Sequence, residues 1–374
     1  MLIGLPKEIK NNEFRVGLTP SSVHELCHAG HEVQVEVDAG LGCGFDDADY
    51  KAAGASIIQH ATDIFKSSEL IIKVKEPQTE ERSLLHSRQT IFTYLHLAPD
   101  VPQTEELLAS GATCIAYETV TNSHSHLPLL APMSEVAGRM SIQAGAHCLE
   151  KSQHGRGVLL GGVPGVAPAT VLILGAGVVG SNATKMAVGL GANVVVLDKS
   201  LDALRHLDAH YGNQIKTLFS TKHTLEEQLR CADLVIGAVL IPGAQAPKLV
   251  SRNLLKTMKK GAVIVDVAID QGGCFESSHP TTHADPTFIE ESIVHYCVAN
   301  MPGALSRTAT QALNNATLPY IMELANKGIK AALSENSGLL QGLNIIQNKL
   351  TNASVGLAQK RSSISPDAAL QLWL

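Results

Sequence analysis

Short apolar runs, each followed by a longer stretch with helical spacing, repeat along most of the chain. In the first third the runs Leu2–Leu5, Val33–Val37, Leu70–Val74, Ile91–Leu95 and Cys114–Ala116 read as strands. The middle third repeats the rhythm at Val171–Leu174, Val194–Leu197, Leu234–Ala238, Val263–Val267 and His295–Val298. Unbroken runs rich in valine and isoleucine suit strands covered on both faces, and their alternation with helices predicts parallel sheets with crossover connections. A helix is expected to begin at Thr19-Pro20, because threonine caps a helix start and proline fits its first position. Gly30 is expected to end it.

Two longer stretches, Pro132–Lys151 and Thr308–Leu333, have few breakers and read as long helices. One lies on each side of the middle α/β unit, so the chain is expected to leave its first domain and return to it. The fold class is therefore α/β, with two Rossmann-like domains built on parallel sheets. Residues 1–130 and 306–374 are expected to form a discontinuous substrate domain, and residues 131–305 a dinucleotide-binding domain inserted into it. The tail after Ser334 reads as helix plus a loose end.

Composition narrows the class. The 374 residues are 45% hydrophobic and 17% charged, enough for two sizeable cores and unlike a disordered chain. The net charge is −6, which argues against nucleic acid or an anionic membrane as partner. Seven cysteines without a CxxC pair or a dense pattern read as reduced thiols. Lys7, Glu8 and Lys10 interrupt the N-terminus before any apolar signal core can form. The uncharged stretch Gly157–Thr184 is broken by Pro164, Pro168 and repeated glycines, so it reads as loop, strand and turn rather than a membrane span. A soluble, cytoplasmic protein is expected.

The most informative segment is VLILGAGVVGSNATKMAVGLGANVVVLD, residues 171–198. Gly175, Gly177 and Gly180 form GxGxxG between a strand and a helix, with Val178 and Val179 inside the turn. The first glycine makes the turn, the second admits a pyrophosphate to the backbone, and the third packs helix on strand. The helix start offers free N–H groups to phosphates. Asp198 follows Gly175 by 23 residues at the end of the next strand, placed to bond ribose hydroxyls. An acid there repels a 2′-phosphate and favours NAD over NADP, although Lys199 and Arg205 stand nearby in sequence.

In open parallel sheets, ligands bind beyond the carboxyl ends of the strands. Those ends supply Lys75 and His96 in the first domain, with Arg15 in the polar loop after the first strand. In the second they supply the glycine turn, Asp198, Val239-Leu240, Val267, Asp270, Val298 and Asn300-Met301. Arg15 and Lys75 suit an anionic substrate. His96 suits proton transfer near neutral pH, and Asp270 could accept a proton or activate water. Each has an ordinary structural reading: a surface arginine, a lysine paired at a strand end, a core histidine among leucines, a turn aspartate before Gly272-Gly273. Their joint position at strand ends weakens that reading. The leucines beside His96 are expected to pack as the strand and a dry wall. His124 with His126, and His206 with His210, lack the cysteine or acid that would complete a metal site, so no metal is expected.

GLPKEIKNNEFRVGLTP, KVKEP, FTYLHLAPD, MSEVAGRMS, GGVPGV, GAGVVG, VDVAIDQGG and CVANMPGALSRTAT together resemble alanine dehydrogenase from the N-terminus to about residue 330. The resemblance implies interconversion of L-alanine with pyruvate and ammonia, with NAD as cofactor, in a homohexamer. It implies that Arg15 and Lys75 hold the substrate carboxylate and that His96 and Asp270 are catalytic. It also implies cofactor contacts at Ser134, Asp198, Ser220, Val239, Leu240 and the turn from Asn300 through Met301 to Pro302. The turn reads GAG where many members have GGG, Ser306 stands at a frequent proline, and the C-terminal LAQKRSSISPDAALQLWL matches no pattern of the family. Two other readings stay open: the NAD-binding subunit of a proton-translocating transhydrogenase, which needs a membrane partner, and a non-catalytic NAD-sensing module. Neither explains the set Arg15, Lys75, His96 and Asp270.

Overall fold

The computed structural model describes residues 1–239 and 246–371. The described chain divides into two compact units, one made of Met1–Met133 with Leu305–Leu374 and the other of Ser134–Ala304.

The first unit holds strands β1 (Leu2–Leu5), β2 (Glu32–Glu36), β3 (Ser56–Ile58), β4 (Leu70–Ile72), β5 (Thr90–Thr93) and β6 (Thr113–Ala116). They pair in parallel in the order β3-β2-β1-β4-β5-β6. The order reverses between β1 and β4, which opens a crevice at their carboxyl ends. The first crossover helix runs Pro20–His28; the Thr19 hydroxyl accepts the Ser22 N–H at 3.2 Å and Pro20 fills the first turn. Gly30 follows with φ +88.

The second unit holds β7 (Thr170–Leu174), β8 (Asn193–Asp198), β9 (Ile215–Phe219), β10 (Leu234–Gly237), β11 (Val263–Asp266), β12 (Thr287–Glu290) and β13 (Ile293–Tyr296). Their order is β12-β13-β11-β10-β7-β8-β9, antiparallel only at β12. The doubly wound pattern recurs, with its reversal between β7 and β10. Val235, Ile264 and Phe275 lie in a core beneath this sheet, and each is fully buried.

The returning segment departs from expectation in two ways. The predicted helix Thr308–Leu333 is two helices, Ser306–Lys327 and Ile329–Glu335, parted at Gly328, whose φ is +79. As far as Gln371 the tail folds into strands and helices rather than a loose end. Strands β14 (Leu343–Ile346) and β15 (Lys349–Leu350) extend the first sheet antiparallel beside β6, and a helix Ala353–Gln359 follows. Leu343, Ile345 and Leu350 are buried, so the tail gains apolar burial that a free end would forgo. Buried Asn314 stitches this segment to the N-terminal one: its Oδ1 accepts the Thr19 N–H at 2.7 Å and the Ser22 hydroxyl at 3.0 Å.

Candidate functional site

In the first unit, the loop after β1 turns Arg15 inward until only 2% of it is exposed. A buried guanidinium must be paired, and Glu13 pairs it: Nε donates to Oε1 at 2.7 Å and Nη2 to Oε2 at 2.6 Å. Nη1 donates to Met133 Sδ at 3.0 Å. Burial opposes ionisation of Glu13, but the hydrogen bonds and charge of Arg15, with Lys75 adding, hold its carboxyl at about 2. One edge of the Arg15 guanidinium is thus already held by Glu13.

Lys75 lies across the same crevice, beyond β4. Burial and then the charge of Arg15 push its ammonium below the usual lysine range, with Glu76 opposing. The charges of Arg15 and Lys75 oppose one another in this crevice, with Glu13 and Glu76 offsetting them. The backbone carrying Lys75 is fixed by Glu8, whose Oε1 accepts from Val74 N at 2.6 Å and Lys75 N at 3.3 Å. Lys73, with its side chain wholly buried, donates to Glu8 at 3.0 Å and to Glu81 at 2.7 Å.

His96 does not end β5 directly. It sits three residues beyond Thr93, and it is not a core histidine. Its side chain is 48% exposed, and its backbone adopts φ +49, a region non-glycine residues seldom enter. Leu95 and Leu97 are buried in the core, so they anchor the loop instead of walling in the imidazole. Tyr94 stacks parallel to the imidazole, with ring centroids 5.7 Å apart and 5° between planes. The Tyr94 hydroxyl donates to Leu129 O at 2.5 Å. Glu118, just past β6, accepts from His96 N at 2.6 Å and from Leu95 N at 3.2 Å. Both strands end where the expected runs Leu70–Val74 and Ile91–Leu95 would continue, because Glu8 and Glu118 take N–H groups that a longer ladder would use.

In the second unit, Gly175 has φ +105, and a Cβ there would lie 2.8 Å from Ala238 O. A Cβ on Gly180 would lie 1.8 Å from Gly175 O, so helix and turn pack without room for a side chain. A Cβ on Gly177 would meet nothing within 4 Å. The turn therefore leaves open space where its second glycine caps the helix Val178–Gly189. Val178 is exposed and Val179 buried. Asp198 accepts from Ala176 N at 2.6 Å and from Ser200 N at 2.7 Å, tying the end of β8 to the turn. Ser220 follows β9 and donates its N–H to Asp198 O at 2.9 Å. An open cradle, a helix start and an acid at the next strand end suit a dinucleotide.

The remaining candidates take varied places. Ser134 is half-buried on the helix Ala131–Cys148. Val239 is half-buried after β10 and packs on the core, while Leu240 lies outside the described residues. Val267 and Asp270 sit on the 3-10 turn Val267–Gln271, with Asp270 exposed. Val298 is buried after β13. Asn300 has φ +61, and its carbonyl accepts from His283 Nε2 at 3.2 Å. Met301 and Pro302 are buried in the next 3-10 turn.

Sequence reasoning passed over Glu8, Glu13 and Glu118. Each acts on a neighbour's backbone or charge, and nothing in a one-dimensional pattern pairs Glu118 with His96 across two strands. It also passed over Asp266, fully buried at the end of β11. Its Oδ2 accepts from Cys274 N at 2.8 Å and the Ser278 hydroxyl at 2.6 Å, anchoring the loop after Asp270. Burial pushes its carboxyl up, against those hydrogen bonds.

Comparison with known proteins places the sequence and the fold. The models of the alanine dehydrogenase/PNT N-terminal and C-terminal domains match residues 4–137 and 141–353. The chain is 59% identical to the alanine dehydrogenase of Halomonas elongata over 358 residues, 96% of each chain. It is 52% identical to that of Mycobacterium tuberculosis over 355 residues, 95% of this chain and 96% of the relative. A solved L-alanine dehydrogenase superposes with a TM-score of 0.94 at 53% identity, covering 96% of this chain and 99% of the other. A transhydrogenase from Sinorhizobium meliloti superposes at 0.82 with 25% identity, covering 94% of this chain and all of the other. On this evidence of sequence and fold, the chain belongs to the alanine dehydrogenase/PNT family.

Proposed function

We propose that the chain is an alanine dehydrogenase that converts L-alanine, NAD and water to pyruvate, ammonia and NADH, and catalyses the reverse reductive amination. The observation that carries the substrate side is the buried Arg15 in the loop after β1, with Lys75 beyond β4, at the switch point of the first sheet. That pair takes the carboxylate. The Gly175–Gly180 turn and Asp198 hold the dinucleotide, with Ser134, Ser220, Val239, Leu240, Val267, Val298, Asn300, Met301 and Pro302 as further contacts. A nicotinamide held there would supply the acceptor for the hydride on the substrate Cα. Arg15 and Lys75 keep the resulting imino acid in place while water adds to its imine carbon. His96 and Asp270 carry the protons: one accepts from the amine or water, the other supplies the departing ammonia. Asp198 supports NAD over NADP, since a 2′-phosphate would face its charge.

The family resemblance supports a homohexamer in the cytoplasm. The seven free cysteines suit a reducing compartment. Among the described residues no helix is long and apolar enough to cross a membrane. The transhydrogenase-subunit reading is less well supported, because similarity is 25% there against 53% for the solved L-alanine dehydrogenase.

The test follows NADH consumption with ammonia and a panel of 2-oxo acids, for the parent and His96→Ala. Pyruvate is expected to be the best substrate. His96→Ala is expected to lose turnover by a factor of about 100 or more while still binding NADH. No turnover of any 2-oxo acid by the parent would overturn the reading.

A further inference from the structure

The His96 loop needs an explanation that His96 cannot supply. A non-glycine residue at φ +49, half exposed, persists only where its surroundings over-determine it. Its own side chain makes no contact that would do this. The imidazole stacks on Tyr94, and Tyr94 is anchored through its hydroxyl to Leu129. That stack sets the plane of the ring but not the backbone under it.

Glu118 does set the backbone. It stands on the 3-10 turn Tyr117–Thr119 that leaves β6, the strand paired beside β5. Its Oε1 accepts from His96 N at 2.6 Å and Leu95 N at 3.2 Å, and its Oε2 lies 3.2 Å from Leu95 N. The same Oε1 stands 3.9 Å from His96 Nδ1. That is beyond hydrogen-bond range but within ion-pair distance of a protonated imidazole. The Glu118 side chain is 16% exposed, so its charge is poorly screened.

We propose that Glu118 is a positioning residue for His96. One carboxylate holds the left-handed turn through two N–H groups and faces Nδ1, so Nδ1 carries the proton and Nε2 is turned outward to exchange protons with substrate or water. The charge of Glu118 then offsets the positive charge His96 gains when Nε2 accepts a proton. The inference rests on the catalytic reading of His96 and goes one residue further.

Glu118→Gln separates the two parts of the role. An amide oxygen still accepts from His96 N and Leu95 N, so the turn survives, while the charge facing Nδ1 is gone. The expected result is a 10- to 100-fold loss of kcat, with KM for alanine and Kd for NADH within about twofold of the parent. Glu118→Asp, which restores the charge, is expected to recover part of kcat. In 15N-histidine spectra of the whole enzyme, the His96 signals are expected to move away from the Nδ1-protonated form in Glu118→Gln. If Glu118→Gln keeps parental kcat and parental His96 signals while His96→Ala is inactive, Glu118 is only a backbone anchor and the inference fails alone. If His96→Ala itself keeps parental kcat, the catalytic reading beneath it fails as well.

Discussion

Glu13 holds Arg15 along a whole edge of its guanidinium, with both side chains almost wholly buried. The pair lies two residues apart on one loop, so the loop is shaped around it. Removing the carboxylate strands a buried cation, which commonly costs about 3–5 kcal/mol.

The same pair sets a pH dependence. Glu13 titrates at about 2 when folded, against an ordinary 4.5. A lowered carboxylate stabilises the fold above its unfolded value, and the gain is lost as pH falls from about 4.5 to about 2. Its size is on the order of 3 kcal/mol. Glu13→Gln is expected to lower stability at pH 7 and to flatten the acid limb in that window, as read by denaturant unfolding at several pH values. A parallel acid limb in both proteins would rule this out.

Lys73 presents a second buried charge, between Glu8 and Glu81. Burial opposes its charge, but the two carboxylates outweigh burial and keep it above the usual lysine range. Lys73→Met is expected to destabilise by about 3–5 kcal/mol, since it leaves two buried carboxylates facing one another. Adding Glu81→Gln is expected to recover part of that loss. Glu8 keeps its N–H partners at Val74 and Lys75 in both variants. Urea midpoints of the single and double variants check this, and an unchanged midpoint for Lys73→Met would contradict it.

The glycine turn allows a paired test of fold against ligand. Gly180→Ala drives a methyl into Gly175 O and is expected to cost about 3 kcal/mol or more. Gly177→Ala meets open space in the protein. It is expected to keep the parental melting temperature while weakening NADH binding about tenfold, because the methyl enters the volume assigned to the pyrophosphate. Calorimetry and NADH fluorescence titration report the two effects separately. Parental NADH affinity in Gly177→Ala would place the phosphates elsewhere.

Asp198 carries two tasks. It fixes the turn through Ala176 N and Ser200 N, and it is proposed to bond the ribose. Asp198→Ala is expected to weaken NAD binding by about 1–3 kcal/mol and to narrow the preference over NADP. Asp198→Asn keeps an acceptor for one N–H and removes the charge, so it is expected to narrow the preference with a smaller loss of affinity. Kd values for NAD and NADP with all three proteins decide the matter. An unchanged ratio would leave Asp198 as a turn anchor.

Much of this was legible in the residues. Thr19-Pro20, the valine-rich runs and GAGVVG follow local rules, and local rules survive folding. The long stretch from Pro132 is a helix, Ala131–Cys148, as its lack of breakers implies. Two hairpins were missed. Glu291-Ser292, between β12 and β13, and Gln347-Asn348, between β14 and β15, both take positive φ at both positions. Such turns usually announce themselves with glycine, and neither pair contains one. The strand ends were also misplaced, because the carboxylates that stop β4 and β5 come from Glu8 and Glu118, distant in sequence. Long-range capping leaves no periodic trace.

The interleaving of the two units bears on how the chain is made. Residues 134–304 are contiguous and carry their own sheet, so they can close during synthesis as one piece. Strands β1 to β6 leave the ribosome earlier but lack β14 and Asn314 until the segment from Leu305 onward emerges. The edge of β6 therefore waits open, a template for unwanted pairing in the nascent chain. The late tail is an edge guard whose arrival ends that exposure.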